Sequence, residues 1–159
     1  MEQRTRLSPW TPTQERLGTV VINLMTAVNV WVYRLTDGWL GGKFLRGAPV
    51  CLLTTRGRKS GVPRTVALLY LRDGPNVIFV ASKGGMSHHP AWYLNLRANP
   101  DVEVQIGAHR LAMRARTATP EEKRALWPRL VAMYPDYEAY QARTTRDIPV
   151  VICEPRPQA

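Results

Sequence analysis

The chain has 159 residues, 45% of them hydrophobic and 21% charged, with a formal net charge of +10. That balance fits one folded globular unit and excludes a chain too small or too polar to bury a core. The charge is uneven: Lys43, Arg46, Arg56, Arg58, Lys59, Arg64 and Arg72 lie between Gly38 and Arg72 with no acid among them, whereas residues 119–154 are near neutral. A localised basic region implies an anionic partner, whether a nucleotide-like cofactor, nucleic acid or an anionic membrane surface.

Residues 1–12 hold two prolines and no apolar period, so they read as a flexible tail. No short apolar core precedes a small-residue cleavage site, and the chain therefore reads as cytoplasmic. Residues 17–33 are uncharged, and Asn23, Thr26 and Asn29 recur every three residues. That is helical spacing with a polar stripe, which argues against a membrane span. The helix packs on the core, lies on a membrane surface, or lines an apolar ligand channel. Gly38, Gly41 and Gly42 close this region, and residues 1–40 form an N-terminal tail and helix ahead of a domain over 41–159.

A β-rich section follows. Residues 50–55 form a strand, and the glycine- and proline-bearing stretch from Arg56 to Arg64 forms a turn. Arg56, Arg58, Lys59 and Arg64 make that turn densely positive, and Ser60 and Thr65 add hydroxyls. It is either a solvated hairpin tip or a cradle for phosphate or carboxylate. Residues 64–72 and 77–82 pair as a hairpin across Asp73-Gly74-Pro75-Asn76. Residues 83–89 form a polar loop, and Pro90 opens a short helix through Arg97. Val102, Val104 and Ile106 alternate with polar residues as a half-buried strand, and residues 110–117 form another. Thr119 and Glu122 have capping-box spacing at the start of a helix that runs to about Met133. Pro135 interrupts it, residues 136–143 form a second helix, and residues 148–153 a last strand. About six strands, mostly in hairpins, give an α+β protein whose antiparallel sheet closes into a barrel.

Conventional catalytic constellations are absent from the sequence. The adjacent His88 and His89 diverge, so no metal site is read there. His109 falls at an exposed turn, and Cys51 and Cys153 sit in apolar strands as buried, reduced thiols. No nucleophile elbow, zinc-protease or dinucleotide-binding pattern occurs. A bound cofactor would then carry the difficult chemistry. Tyr134, Tyr137 and Tyr140 recur every three residues and suit either core packing or the wall of a planar apolar ligand.

The runs LLTTRGRKSGVPRTVALLYLRDGPNVIFVASKGG, HPAWYLNLRANPDVEVQIG and WPRLVAMYPDYEAYQARTTRDIPVVICEP resemble the deazaflavin-dependent nitroreductase and quinone reductase family. Its members are mycobacterial-type enzymes that use coenzyme F420. The resemblance implies a split antiparallel β-barrel, like the flavin-reductase and pyridoxamine-phosphate-oxidase proteins, with peripheral helices. It implies that Arg58, Lys59, Ser60, Arg64 and Thr65 hold the polyanionic tail of the deazaflavin. Val80, Ala81, Ser82 and Lys83 would lie along its ring, with Ala91, Trp92, Tyr93, Leu94 and Asn95 as a second contacting segment. Ser82, Tyr134, Tyr137 and Tyr140 would face the acceptor, Tyr137 touching the cofactor as well. The loop at residues 84–89 departs from other members and is expected to set acceptor choice.

The implied reaction is hydride transfer to an enone, quinone or nitro compound, with menaquinone at the inner face of the cell membrane as one acceptor. A flavin-mononucleotide enzyme on the same barrel and a non-catalytic deazaflavin carrier are the alternatives. A nucleic-acid partner is disfavoured because aromatics are not interleaved with the basic block. The number of subunits is left open.

Overall fold

The computed structural model describes residues 7–44 and 47–157. Arg46, and the part of the expected tail over residues 1–6, lie outside the described residues.

The first helix is longer than its uncharged stretch. α1 runs Pro12–Thr36, because Thr11 and Gln14 form a capping box around Pro12 at the first helical position. Residues 11 and 12 thus belong to the helix start rather than to a tail. Asp37, in the left-handed region, and Gly38, whose φ is +80°, end it.

Seven strands follow: β1 (Val50–Arg56), β2 (Pro63–Leu69), β3 (Leu71–Asp73), β4 (Asn76–Val80), β5 (Asp101–Ile106), β6 (His109–Thr117) and β7 (Val150–Pro155). α2 (Ala91–Ala98) sits between β4 and β5, and α3 (Pro120–Met133) and α4 (Asp136–Arg143) between β6 and β7. The expected hairpin of residues 64–72 with 77–82 is corrected. The run breaks at Tyr70, β2 pairs with β1 around the basic turn, and only the three residues of β3 pair with β4. The final strand likewise starts two residues later than expected, at Val150.

The break closes the barrel. The strand order is β2-β1-β5-β6-β7-β4-β3, all antiparallel. The two end strands are joined through Tyr70 alone, so the sheet must curl until its edges meet, giving a split antiparallel barrel.

Strand alternation sorts side chains to two faces. Inside, Cys51, Leu53, Phe79, Val104, Met113, Val151 and Cys153 form one core, capped by Trp92 and Leu96 of α2. Outside, Ile78, Val80, Val150 and Ile152 receive Leu126 and Leu130 of α3 and Tyr134 and Tyr137. On the outer face of β1 and β2, Val30 and Tyr33 of α1 pack on Leu52 and Ala67. Both cysteines are buried and unpaired, and burial pushes the Cys153 thiol up to about 12.

α1 does not behave as a core helix along its length. Leu17, Val20, Leu24 and Trp31 are each about two-thirds exposed, at 66%, 64%, 67% and 65%. Among the described residues no helix is long and apolar enough to cross a membrane.

Candidate functional site

The basic turn between β1 and β2 is closed on itself. Gly57 N–H donates to Val62 O at 2.9 Å, Gly61 N–H to Gly57 O at 2.8 Å, and Val62 N–H to Ser60 Oγ at 3.2 Å. Arg56, Arg58, Lys59 and Arg64 are exposed, and among the described residues none pairs with a carboxylate. Such a donor set fits a polyanion, which would supply the missing counter-charge. Thr65 is already engaged: its hydroxyl meets Thr54 Oγ1 at 2.8 Å and accepts from Arg34 Nη2 at 2.9 Å.

α2 ties this turn to the next segment. Asn95 is buried, accepts from Arg58, and donates through Nδ2 to the Thr55 hydroxyl at 3.2 Å. Ala91 is exposed and Leu94 half-buried. Trp92 and Tyr93 are core residues: Trp92 meets Phe79 edge-on at 6.1 Å, and the Tyr93 hydroxyl lies 2.9 Å from Thr117 Oγ1. Their side chains support α2 from behind.

The segment after β4 makes a tight backbone turn. Val80, Ala81 and Ser82 are buried. Lys83, Gly84 and Gly85 have φ of 45°, 62° and 74°. For Lys83 that region costs about 1–2 kcal/mol. At Gly85 a Cβ would lie 2.6 Å from Tyr140 O, so the loop can press against α4 only with glycine there.

Two arginines hold the loop carbonyls. Arg146 donates to Ala81 O at 3.1 Å, Ser82 O at 2.8 Å and Met86 O at 3.2 Å. Arg143 donates to Gly84 O at 3.0 Å. Arg146 Nη1 also lies 2.9 Å from His89 Nδ1. A guanidinium only donates, so Nδ1 accepts and the ring proton sits on Nε2. Burial first, then the charges of Arg146 and Arg97, lower the His89 pKa and keep the ring neutral. Met86, expected in a polar loop, is instead buried against α1.

The three tyrosines meet. Tyr134 and Tyr137 rings lie 5.1 Å apart, Tyr134 and Tyr140 6.2 Å, and Tyr137 and Tyr140 6.5 Å. The Tyr134 and Tyr140 hydroxyls are 3.2 Å apart. The Tyr137 hydroxyl makes no hydrogen bond to another described residue, although its backbone N–H donates to Tyr134 O at 3.2 Å. Burial, the larger cause, then Tyr140, raises the phenol pKa of both Tyr134 and Tyr137, so each stays a protonated donor. Phe44, just beyond α1, tilts against Tyr134 at 6.2 Å.

The expected residues therefore fall into two groups joined by α2. One is the basic turn with Asn95, and the other is the Ser82 loop beside α4. A separate cavity of about 270 Å³ is lined by Thr54, Thr55, Arg56, Asp101 and Glu103 among others. It contains neither Ser82 nor the tyrosines, and its acids do not suit a polyanion.

Sequence reasoning missed Arg143, Arg146, Trp10 and Glu15, all of which hold the Ser82 loop. Arg143 and Arg146 lie inside the third run quoted above, but they act on residues some sixty positions away. No local spacing signals that.

Comparison with known proteins follows the same outline. A family model described as F420H(2)-dependent quinone reductase matches residues 25–155. The F420H(2)-dependent quinone reductase Rv1261c of Mycobacterium tuberculosis is 39% identical over 142 residues, covering 87% of this chain and 93% of that protein. A solved structure of an F420-H2 dependent reductase, FDR-A, is 45% identical with a TM-score of 0.63, covering 67% of this chain and 94% of its own. Another, described as a domain-swapped dimer, is 41% identical with a TM-score of 0.65, covering 80% of this chain and 96% of its own. The matched residues take in the basic turn, the Ser82 loop, α2 and all three tyrosines, and the chain belongs to the F420H(2)-dependent quinone reductase family.

Proposed function

We propose that this chain is an oxidoreductase that passes a hydride from reduced coenzyme F420 to a quinone, with enones and nitro compounds as further acceptors. The observation that carries this reading is the four-cation turn, which has no carboxylate partner among the described residues and is joined through Asn95 to α2. When bound, the deazaflavin supplies two electrons as hydride. The protein's part is to hold, orient and exclude water.

Arg58, Lys59, Ser60 and Arg64 neutralise the anionic tail, with Thr65 held by Thr54 and Arg34 as the floor of that cradle. Val80, Ala81, Ser82 and Lys83 would lie along the ring. Ala91, Leu94 and Asn95 would make a second cofactor-contacting segment, backed by Trp92 and Tyr93. Ser82 and the protonated Tyr137 donate hydrogen bonds to the acceptor oxygen, where negative charge develops. Tyr134 and Tyr140 wall the same space.

The domain over residues 41–159 carries these roles, and the exposed side of α1 faces a lipid surface. The exposed apolar side chains of α1 support that second part, as do the exposed Arg16 and Lys43 near the two ends of the helix. A quinone dissolved in the inner leaflet would then meet the site directly.

Fluorescence titration with coenzyme F420 and flavin mononucleotide, followed by an acceptor screen led by menaquinone, tests the proposal. Salt-weakened binding of the deazaflavin alone, with quinone turnover, is the expected result. Preference for flavin mononucleotide would refute the cofactor assignment. Binding without turnover would leave a carrier.

A further inference from the structure

At its N-terminal end α1 meets the Ser82 loop mainly through polar contacts. Both oxygens of Glu15 are engaged by Ser87: Oε1 accepts from the backbone N–H at 2.7 Å and Oε2 from the hydroxyl at 2.8 Å. His88 Nε2 lies 3.9 Å from the same carboxylate. The Glu15 side chain is only 13% exposed, so its charge relies on these donors.

The peptide joining Met86 to Ser87 is thereby gripped on both edges. Its carbonyl accepts from Arg146 at 3.2 Å, and its N–H donates to Glu15 at 2.7 Å. Each bond is charge-assisted, and the two charges are opposite. Nearby contacts share the register. Trp10 Nε1 donates to Gly84 O at 2.9 Å, and the Arg143 guanidinium lies 4.7 Å from the Trp10 ring centroid. A Cβ at Gly18 would lie 2.9 Å from Met86 Cε, so α1 passes close over the loop.

Beyond this point α1 loses apolar contact with the barrel until Val30 and Tyr33. Polar contacts therefore set where the start of the helix sits relative to the loop.

We propose that Glu15 is a positioning residue. Acting through Ser87, it fixes residues 82–88 against α1 and so sets the shape of the opening through which the electron acceptor reaches Ser82 and Tyr137. This rests on the acceptor-side reading given under Proposed function. Loss of the grip loosens the loop and costs acceptor binding, while the deazaflavin tail, held at the distant basic turn, is unaffected.

The test uses the full chain carrying Glu15→Ala, Ser87→Ala and both together. Three quantities are read: amide hydrogen exchange over residues 10–20 and 82–89 in the cofactor-free protein, coenzyme F420 affinity, and acceptor KM and kcat with a short-chain menaquinone analogue. Glu15→Ala is expected to speed exchange in both segments and raise acceptor KM about tenfold, the scale of a lost charge-assisted bond. Cofactor affinity, carried mainly by the basic turn, should fall by clearly less than the acceptor KM rises. Ser87→Ala, at an exposed position, should give a smaller change that vanishes in the Glu15→Ala background.

Unchanged exchange overturns the proposal. So does faster exchange with an unmoved KM, or a Ser87→Ala effect that simply adds. Failure of the reductase reading would show in the wild-type protein, as turnover of no acceptor, and would overturn this proposal with it.

Discussion

Asn95 Oδ1 accepts two hydrogen bonds from Arg58, one from the backbone N–H at 3.2 Å and one from Nη1 at 3.0 Å. A side chain of α2 thus fixes the backbone of the basic turn. Asn95→Ala would strand the Arg58 amide and the buried Thr55 hydroxyl, at a cost of about 1–3 kcal/mol. Urea unfolding should show that loss. Coenzyme F420 titration should show about tenfold weaker binding, because the cradle is no longer ordered before the ligand arrives. Unchanged affinity would mean that the turn orders itself.

Lys59 is exposed at the tip of the same turn and touches no carboxylate among the described residues. Lys59→Ala should weaken deazaflavin binding by about five- to tenfold at low salt. The gap to wild type should narrow as salt rises, since exposed charges are screened. Fold stability should not move. A salt-independent deficit would point to lost packing instead of lost charge.

Tyr137 is the phenol whose hydroxyl makes no hydrogen bond to another described residue, while those of Tyr134 and Tyr140 face each other. Tyr137→Phe should therefore slow turnover by about a hundredfold, the lower end for losing one oxyanion donor. Cofactor affinity should barely change. Tyr140→Phe, which removes a hydroxyl already paired with Tyr134, should cost less. Equal effects from the two variants would contradict this division of roles.

Much of this arrangement is local and was legible as sequence. The capping boxes at Thr11 and Thr119, the basic turn and the tyrosine spacing all depend on neighbours a few residues apart. The Thr119 box stands out in the sequence, whereas the prolines of residues 1–12 give the one at Thr11 the look of a tail. The break at Tyr70 was invisible, since it follows from closure of the barrel and not from any turn residue. Arg146 was invisible for the same kind of reason. Its meaning lies in carbonyls that β7 and β4 bring beside it. The exposure of α1 defied pattern reading too, because apolar spacing says which residues share a face and not what covers it.

The Arg116 cluster gives a pH prediction. Arg116 donates to both oxygens of Glu122, at 2.7 and 2.8 Å, and to Glu154 at 2.6 Å. The hydrogen bonds from Arg116, then the one from the Thr119 backbone, hold the Glu122 carboxyl down at about 2, from an ordinary 4.5. A depressed folded value means that the contribution is complete above about 4.5 and drains away as pH falls toward 2. Arg116→Ala should raise that value and move acid unfolding, followed by circular dichroism, to higher pH. Stability at pH 7 should fall only slightly, because the partners are partly exposed.

The exposed face of α1 gives the last prediction. Leu17, Val20, Leu24 and Trp31 present large apolar side chains to solvent, and Trp39 beyond the helix is 85% exposed. A continuous apolar face is costly in water and normally covered. Arg16 within α1 and Lys43 beyond its C-terminal end are exposed cations that the cofactor site does not use, which favours an anionic lipid surface as the cover. The protein should float with vesicles rich in phosphatidylglycerol and stay behind with neutral ones. Trp31→Lys should abolish flotation without changing F420 affinity, since Trp31 lies on the outer side of a helix whose buried contacts are Val30 and Tyr33. A concentration-dependent dimer by light scattering, with no flotation and with dimerisation lost in Trp31→Lys, would instead assign the face to a second copy of the chain.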